Sequence, residues 1–151
     1  MERKEDKKFM VTDEDLKNFM IKELEIIQGI INRMGHNSFL IKGWTITLVV
    51  GTLLLKGNKW HPFIALIPIV FFWCLDAYFL RIERLYRRLH TWVKDNRLKT
   101  EDYLFDLNYR RFEKEERSIL GVMGSITLLL FYFSLLILTL IYIIFLMIKE
   151  V

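Results

Sequence analysis

The 151-residue chain has little of what most enzymes and small secreted proteins are built on. It has one cysteine, Cys74, so no intrachain disulfide can form, and the redox compartment cannot be read from it. Its three histidines, His36, His61 and His90, are scattered, and no HExxH, CxxC, GxSxG, Walker or GxGxxG pattern occurs. A metal, nucleotide-cofactor or nucleophile-elbow enzyme is therefore not expected, and no cofactor is called for. No short apolar core with a small-residue cleavage site lies in the charged, amphipathic first 36 residues, so no cleavable signal peptide is expected and the first apolar run is expected to be its own insertion signal. There is also no inverted repeat of the transporter kind.

What the chain has is apolar length. It is 53% hydrophobic and 15% aromatic, above the range of ordinary soluble domains. The excess is gathered into runs at 37–55, 60–80 and 119–148. A membrane-crossing helix needs about 20 mostly apolar residues, because lipid offers no partner to a free peptide group. The expected fold class is thus an all-α membrane protein with three transmembrane helices and cytoplasmic amphipathic helices. Residues 1–36 form a cytoplasmic N-terminal helix, and 81–118 a basic cytoplasmic segment between the second and third spans.

Loop charge sets the orientation. Segment 81–118 holds eleven Lys/Arg against eight Asp/Glu, whereas the 56–59 loop holds only Lys56 and Lys59. The positive-inside rule then places the N-terminus and 81–118 on the cytoplasmic side of the membrane. The Gly57-Asn58 turn and the C-terminal tail fall outside. A surplus of three positive charges does not argue for nucleic acid; Arg84, Arg87 and Arg88 read instead as contacts to lipid or to a cytoplasmic partner.

Along the chain, 1–10 is a lysine-rich tail, and Thr12 followed by Asp13, Glu14 and Asp15 marks a helix start. Leu16, Phe19, Met20, Leu24, Ile27, Ile30, Ile31 and Met34 then draw an apolar stripe. The stripe packs on the other cytoplasmic segment, pairs with the same helix of another copy, or lies on the membrane; the balanced charge of its polar face favours the first two. Gly35, His36, Asn37 and Ser38 suggest a bend before the first span. Within that span Gly43, Thr47 and Gly51 recur every four residues, a groove suited to helix packing, and Gly121, Gly124 and Ser125 form a second small-residue patch. Pro68 is expected to kink the second span. That helix should run on through Arg81 as an amphipathic extension until about 95–97. Residues 100–109 read equally as helix or extended chain. The third run, thirty residues and about 45 Å as one helix, exceeds a hydrocarbon core of about 30 Å and must tilt or protrude.

Two ionisable residues interrupt the apolar runs, Lys42 and Asp76. A charge at that depth costs about 2.5–3.5 kcal/mol on insertion scales, so it persists only where it is paired, hydrated or useful. Counting from the cytoplasmic ends puts both at one level in antiparallel neighbours. An ion pair is the simplest arrangement, with Arg81 a rival partner for Asp76. The alternative is that one or both line a pore between copies, with Tyr132, Ser134, Thr139 and Tyr142 of the third span as further lining.

The strings Arg33-Met34-Gly35-His36-Asn37-Ser38-Phe39-Leu40-Ile41-Lys42-Gly43-Trp44 and Trp73-Cys74-Leu75-Asp76-Ala77-Tyr78-Phe79-Leu80-Arg81-Ile82-Glu83-Arg84 resemble an uncharacterised family of short bacterial multi-span membrane proteins. Its motifs are approximately RMxxNSFxxKGW and WxLDAYxLRxER. The resemblance places Lys42 inside the first motif and Asp76 inside the second. It implies a membrane effector, with anti-phage defence as the associated setting. Three spans enclose no pore alone, so the expected assembly is a homo-oligomer in the lipid bilayer that answers a cytoplasmic protein or small-molecule signal. The rival expectation is a non-conducting scaffold anchoring a cytoplasmic partner.

Overall fold

The computed structural model describes residues 11–55 and 60–149. The N-terminal tail, the Gly57-Asn58 turn and the last two residues lie outside the described residues. Among the described residues every regular element is helical. Three helical segments, Asp13–Leu54, His61–Asn96 and Ile126–Lys149, are long and apolar enough to cross a membrane.

Helix α1, Asp13–Leu54, is 42 residues of unbroken helix, about 63 Å. Its start follows from the capping box: the Thr12 hydroxyl accepts from the Asp15 amide, and the Asp15 carboxylate accepts from the Thr12 amide. The Thr12 hydroxyl also donates to the Asp15 carboxylate at 2.7 Å, and that bond, with the one from the Thr12 amide, holds the Asp15 carboxyl below its ordinary range. The bend anticipated at residues 35–38 is absent. Helix α2 runs antiparallel alongside that stretch, and the Ser38 hydroxyl is spent on a side chain of α2 rather than on its own backbone. Tertiary packing here overrides the local preference for a break.

The second run opens with a 3-10 turn, His61–Ala65, before α2, Leu66–Asn96. Pro68 therefore sits in the first turn of α2, where its missing N–H removes no helical bond, and the expected kink does not arise. The third run is not one helix. A short helix α3, Ile119–Met123, stops at Gly124 and Ser125, and α4, Ile126–Lys149, continues for 24 residues, about 36 Å. The break shortens the long run to a membrane-compatible helix plus one extra turn. Trp73 Nε1 of α2 donates to the Met123 carbonyl at 3.1 Å, supplying a partner the broken ladder lacks.

Two cores result. In the apolar half, Val49, Ala65, Ile69, Ala77, Val122, Leu128 and Tyr132 are buried together. In the polar half, Ile27 and Ile31 of the α1 stripe pack on Leu89 and Val93 of α2, flanked by Met20, Leu24, Tyr86, Trp92, Leu107 and Phe112. The stripe is thus covered by the chain's own later segment.

Candidate functional site

Ser38, Lys42 and Asp76 are brought together by the antiparallel pairing of α1 and α2. Ser38 and Lys42 share one face of α1 because they are four residues apart. Asp76 is fully buried in the facing wall of α2, whereas the Lys42 side chain keeps 27% exposure. Lys42 Nζ lies 2.6 Å from Asp76 Oδ2 and donates to Ser38 Oγ at 2.7 Å. The Ser38 hydroxyl donates in turn to Asp76 Oδ1. From α4, the Tyr132 hydroxyl reaches Asp76 Oδ2 at 3.1 Å and the Phe72 carbonyl at 3.2 Å. Asp76 therefore accepts from all sides, and helices α1, α2 and α4 meet at one carboxylate. Trp73 stacks on Tyr132 at 5.8 Å with planes 7° apart, and Lys42 Nζ stands 5.9 Å from the Phe131 ring. One indole thus joins this cluster to the break at Gly124, since its nitrogen caps Met123 while its face lies on Tyr132.

Chemically the cluster is a charge pair in an apolar wall, closed on the Asp76 side and open on the Lys42 side. It can lock three helices together, and it can present one cation outward. Among the described residues no group of three His, Cys, Asp or Glu side chains is placed to hold a metal.

The other residues singled out above fall elsewhere. Arg81 does not compete for Asp76; its Nε donates to the Arg117 carbonyl at 2.9 Å. Gly43 and Gly51 are exposed, with nothing within 4 Å of a Cβ placed on either, and Thr47 bonds back to the Gly43 carbonyl. The packed face of α1 is instead Ile41, Thr45 and Val49, about half a turn away, because these residues carry the volume that meets α2 and α4. Among the described residues no helix uses the Gly43 groove. Gly121 is tight only against the neighbouring Arg117 and Ser118, and Ser125 Oγ is buried without a partner. Ser134 and Thr139 bond to the carbonyls of Phe131 and Leu135, and Tyr142 is 39% exposed.

Arg84, Arg87 and Arg88, expected to meet lipid or a partner, are engaged within the chain. Arg84 lies 3.6 Å from Glu116, Arg87 2.8 Å from Glu83, and Arg88 3.3 and 3.2 Å from Glu115 and Glu116. Glu83 lies on α2 itself, one turn before Arg87, as the four-residue spacing predicts, whereas Glu115 and Glu116 arrive from segment 109–118, which folds back along α2. Sequence spacing cannot show that return.

Sequence reasoning also missed the buried pair Glu23 and Arg97, 1% and 0% exposed. All five Arg97 donors are used: Nε and Nη2 on Glu23, Nη2 also on the Tyr103 carbonyl, and Nη1 on the carbonyls of Thr100 and Asp102. Glu23 Oε1 further accepts the Phe105 amide at 2.6 Å. This knot holds Tyr103 and Phe105 at φ 58° and 54°, left-handed values that non-glycine residues adopt only under constraint. Segment 100–108 is accordingly neither helix nor strand. The available signal was Glu23 itself, a charge three residues after Met20 and four before Ile27, inside the apolar stripe.

Comparison with protein-family models, curated proteins and solved structures finds no match to this chain.

Proposed function

We propose that the chain is a multi-pass protein of a bacterial inner membrane, N-terminus inside and C-terminus outside. It assembles as a homo-oligomer and perturbs the membrane in answer to a cytoplasmic protein or small-molecule signal. The anti-phage setting comes from the resemblance carried by the Lys42 and Asp76 motifs. The observation that carries the reading is the one-sided exposure of the pair, Asp76 closed at 0% and Lys42 open at 27%. A cation opening outward from a span needs water or another polar surface, because lipid solvates it poorly. Copies meeting around that face would provide a hydrated path. No more than 22% of any candidate span's apolar window is buried within the chain, which leaves ample surface for such contacts.

The rival is a non-conducting scaffold. It is favoured by the full set of partners around Asp76, which a structural lock requires, and it lets Lys42 extend toward the headgroups without conduction. Induced expression with a potential-sensitive dye separates the two. An effector depolarises cells, and K42M/D76L, which keeps the volume and removes both charges, inserts equally but depolarises less. Depolarisation unchanged in K42M/D76L would overturn the role given to the pair, and depolarisation absent from the wild type with its signal supplied would leave the scaffold.

A further inference from the structure

We infer that Arg81 and Arg117 together hold the phosphate of an anionic phospholipid headgroup at the junction of the polar half with the third span. The inference rests on the reading of the helices as membrane spans. The acids paired along this stretch of α2 are committed elsewhere, since Glu83 serves Arg87, Glu115 serves Arg88, and Glu116 serves Arg84 and Arg88. The Arg81 guanidinium is pinned through Nε to the backbone carbonyl of Arg117, and among the described residues neither arginine has an acid partner. Among the described residues no acceptor meets Arg81 Nη1 or Nη2, or any nitrogen of Arg117.

The depth is also set. Arg81 lies five residues, about 7.5 Å of helix, beyond Asp76 on the polar side, and Arg117 immediately precedes the Ser118 cap of α3. Both therefore stand where an apolar span gives way to polar chain, the level of headgroup phosphates. Gly121 contributes: a Cβ there would meet Arg117 Cβ at 3.2 Å and Cδ at 3.7 Å, so the bare glycine lets the arginine stem lie against the start of the span. Two arginines without acid partners on adjoining backbone favour an anion at that level, and a phosphodiester offers forked acceptor oxygens that suit guanidinium donors. The cytoplasmic leaflet is the surface that supplies such lipids.

The test uses the full chain in nanodiscs of phosphatidylcholine containing a minor share of phosphatidylglycerol, with retained lipids counted by native mass spectrometry. The wild type should retain phosphatidylglycerol beyond its share. Arg117→Gln, which keeps the carbonyl that pins Arg81, should lower that enrichment about fivefold, and R81Q/R117Q about fivefold again. R110Q/K114Q, equal in charge removed, should not change it. Equal enrichment in Arg117→Gln and wild type overturns the inference, as does complete displacement by soluble glycerol phosphate, which would make the ligand a free anion. A wild type that fails to enter nanodiscs overturns the span reading itself, whereas one that enters without preference overturns only the lipid site.

Discussion

Arg97→Ala should loosen the polar half of the molecule far more than an ordinary surface substitution. The side chain is fully buried, pairs with buried Glu23 and satisfies the carbonyls of Thr100, Asp102 and Tyr103. Removing one member of a buried pair costs about 3–5 kcal/mol, because the remaining charge loses its partner. The stranded carbonyls would each add about 1–3 kcal/mol if dry, but the vacated space admits water and most of that term is recovered. A loss of about 4 kcal/mol is therefore expected, roughly a thousandfold in the local opening equilibrium. Hydrogen exchange on the full chain in micelles reads it at the Phe105 amide, which donates to Glu23 in the intact knot. That amide should exchange up to about a thousandfold faster, while amides of α4 stay unchanged because α4 lies in the other core. E23M/R97M should recover part of the loss, since no lone charge remains. Acceleration of Phe105 by less than about tenfold in R97A would refute the view that this knot holds segment 100–108.

At the charge cluster, Asp76→Ala leaves Lys42 unpaired and should cost about 3–5 kcal/mol, whereas K42A/D76A removes the orphan and should yield more folded protein by size exclusion in detergent. Equal losses in the two variants would count against the pair as a lock. At the break in the third run, Gly124→Ala has room, its nearest neighbour being the Gly121 carbonyl at 3.7 Å, and favours continuous helix by about 1 kcal/mol. A straightened helix would withdraw the Met123 carbonyl from Trp73, so the indole N–H resonance of Trp73 should shift; an unmoved resonance would show that the break is held by packing alone. At the start of α1, the Asp15 carboxyl is held low by Thr12, so its stabilisation is present above the ordinary carboxylate range and is lost as pH falls through it. Amides 13–16, corrected for intrinsic rates, should lose protection on acidification, and Thr12→Ala, which removes the hydroxyl donor and keeps the amide, should reduce that pH dependence.

Much of this arrangement is legible in the chain because it depends on short-range periodicity. Run lengths announce three candidate spans, the stripe from Leu16 to Met34 announces a buried face, and counting along two antiparallel helices brings Lys42 level with Asp76. The unread parts depend on residues far apart in sequence. Glycine at 124 breaks a helix only because Trp73, fifty residues earlier, serves the freed carbonyl. Arg84 and Arg88 lose their freedom only because 109–118 returns to them. Gly43 and Gly51 mark a groove by spacing, yet the chain packs α1 through Ile41, Thr45 and Val49, since side-chain volume rather than its absence filled the interior.

The continuity of α1 and α2 has a mechanical consequence. Both helices pass from the polar half into the apolar half without a joint, so together they act as a mast that a push at one end turns at the other. The third run is hinged at Gly124 and hangs from that mast like a boom, stayed by the Trp73 indole and the Tyr132 hydroxyl. Spin labels at the two ends of α1 should keep one separation in every state of the protein, and any change of shape should register in distances from α1 to the far end of α4.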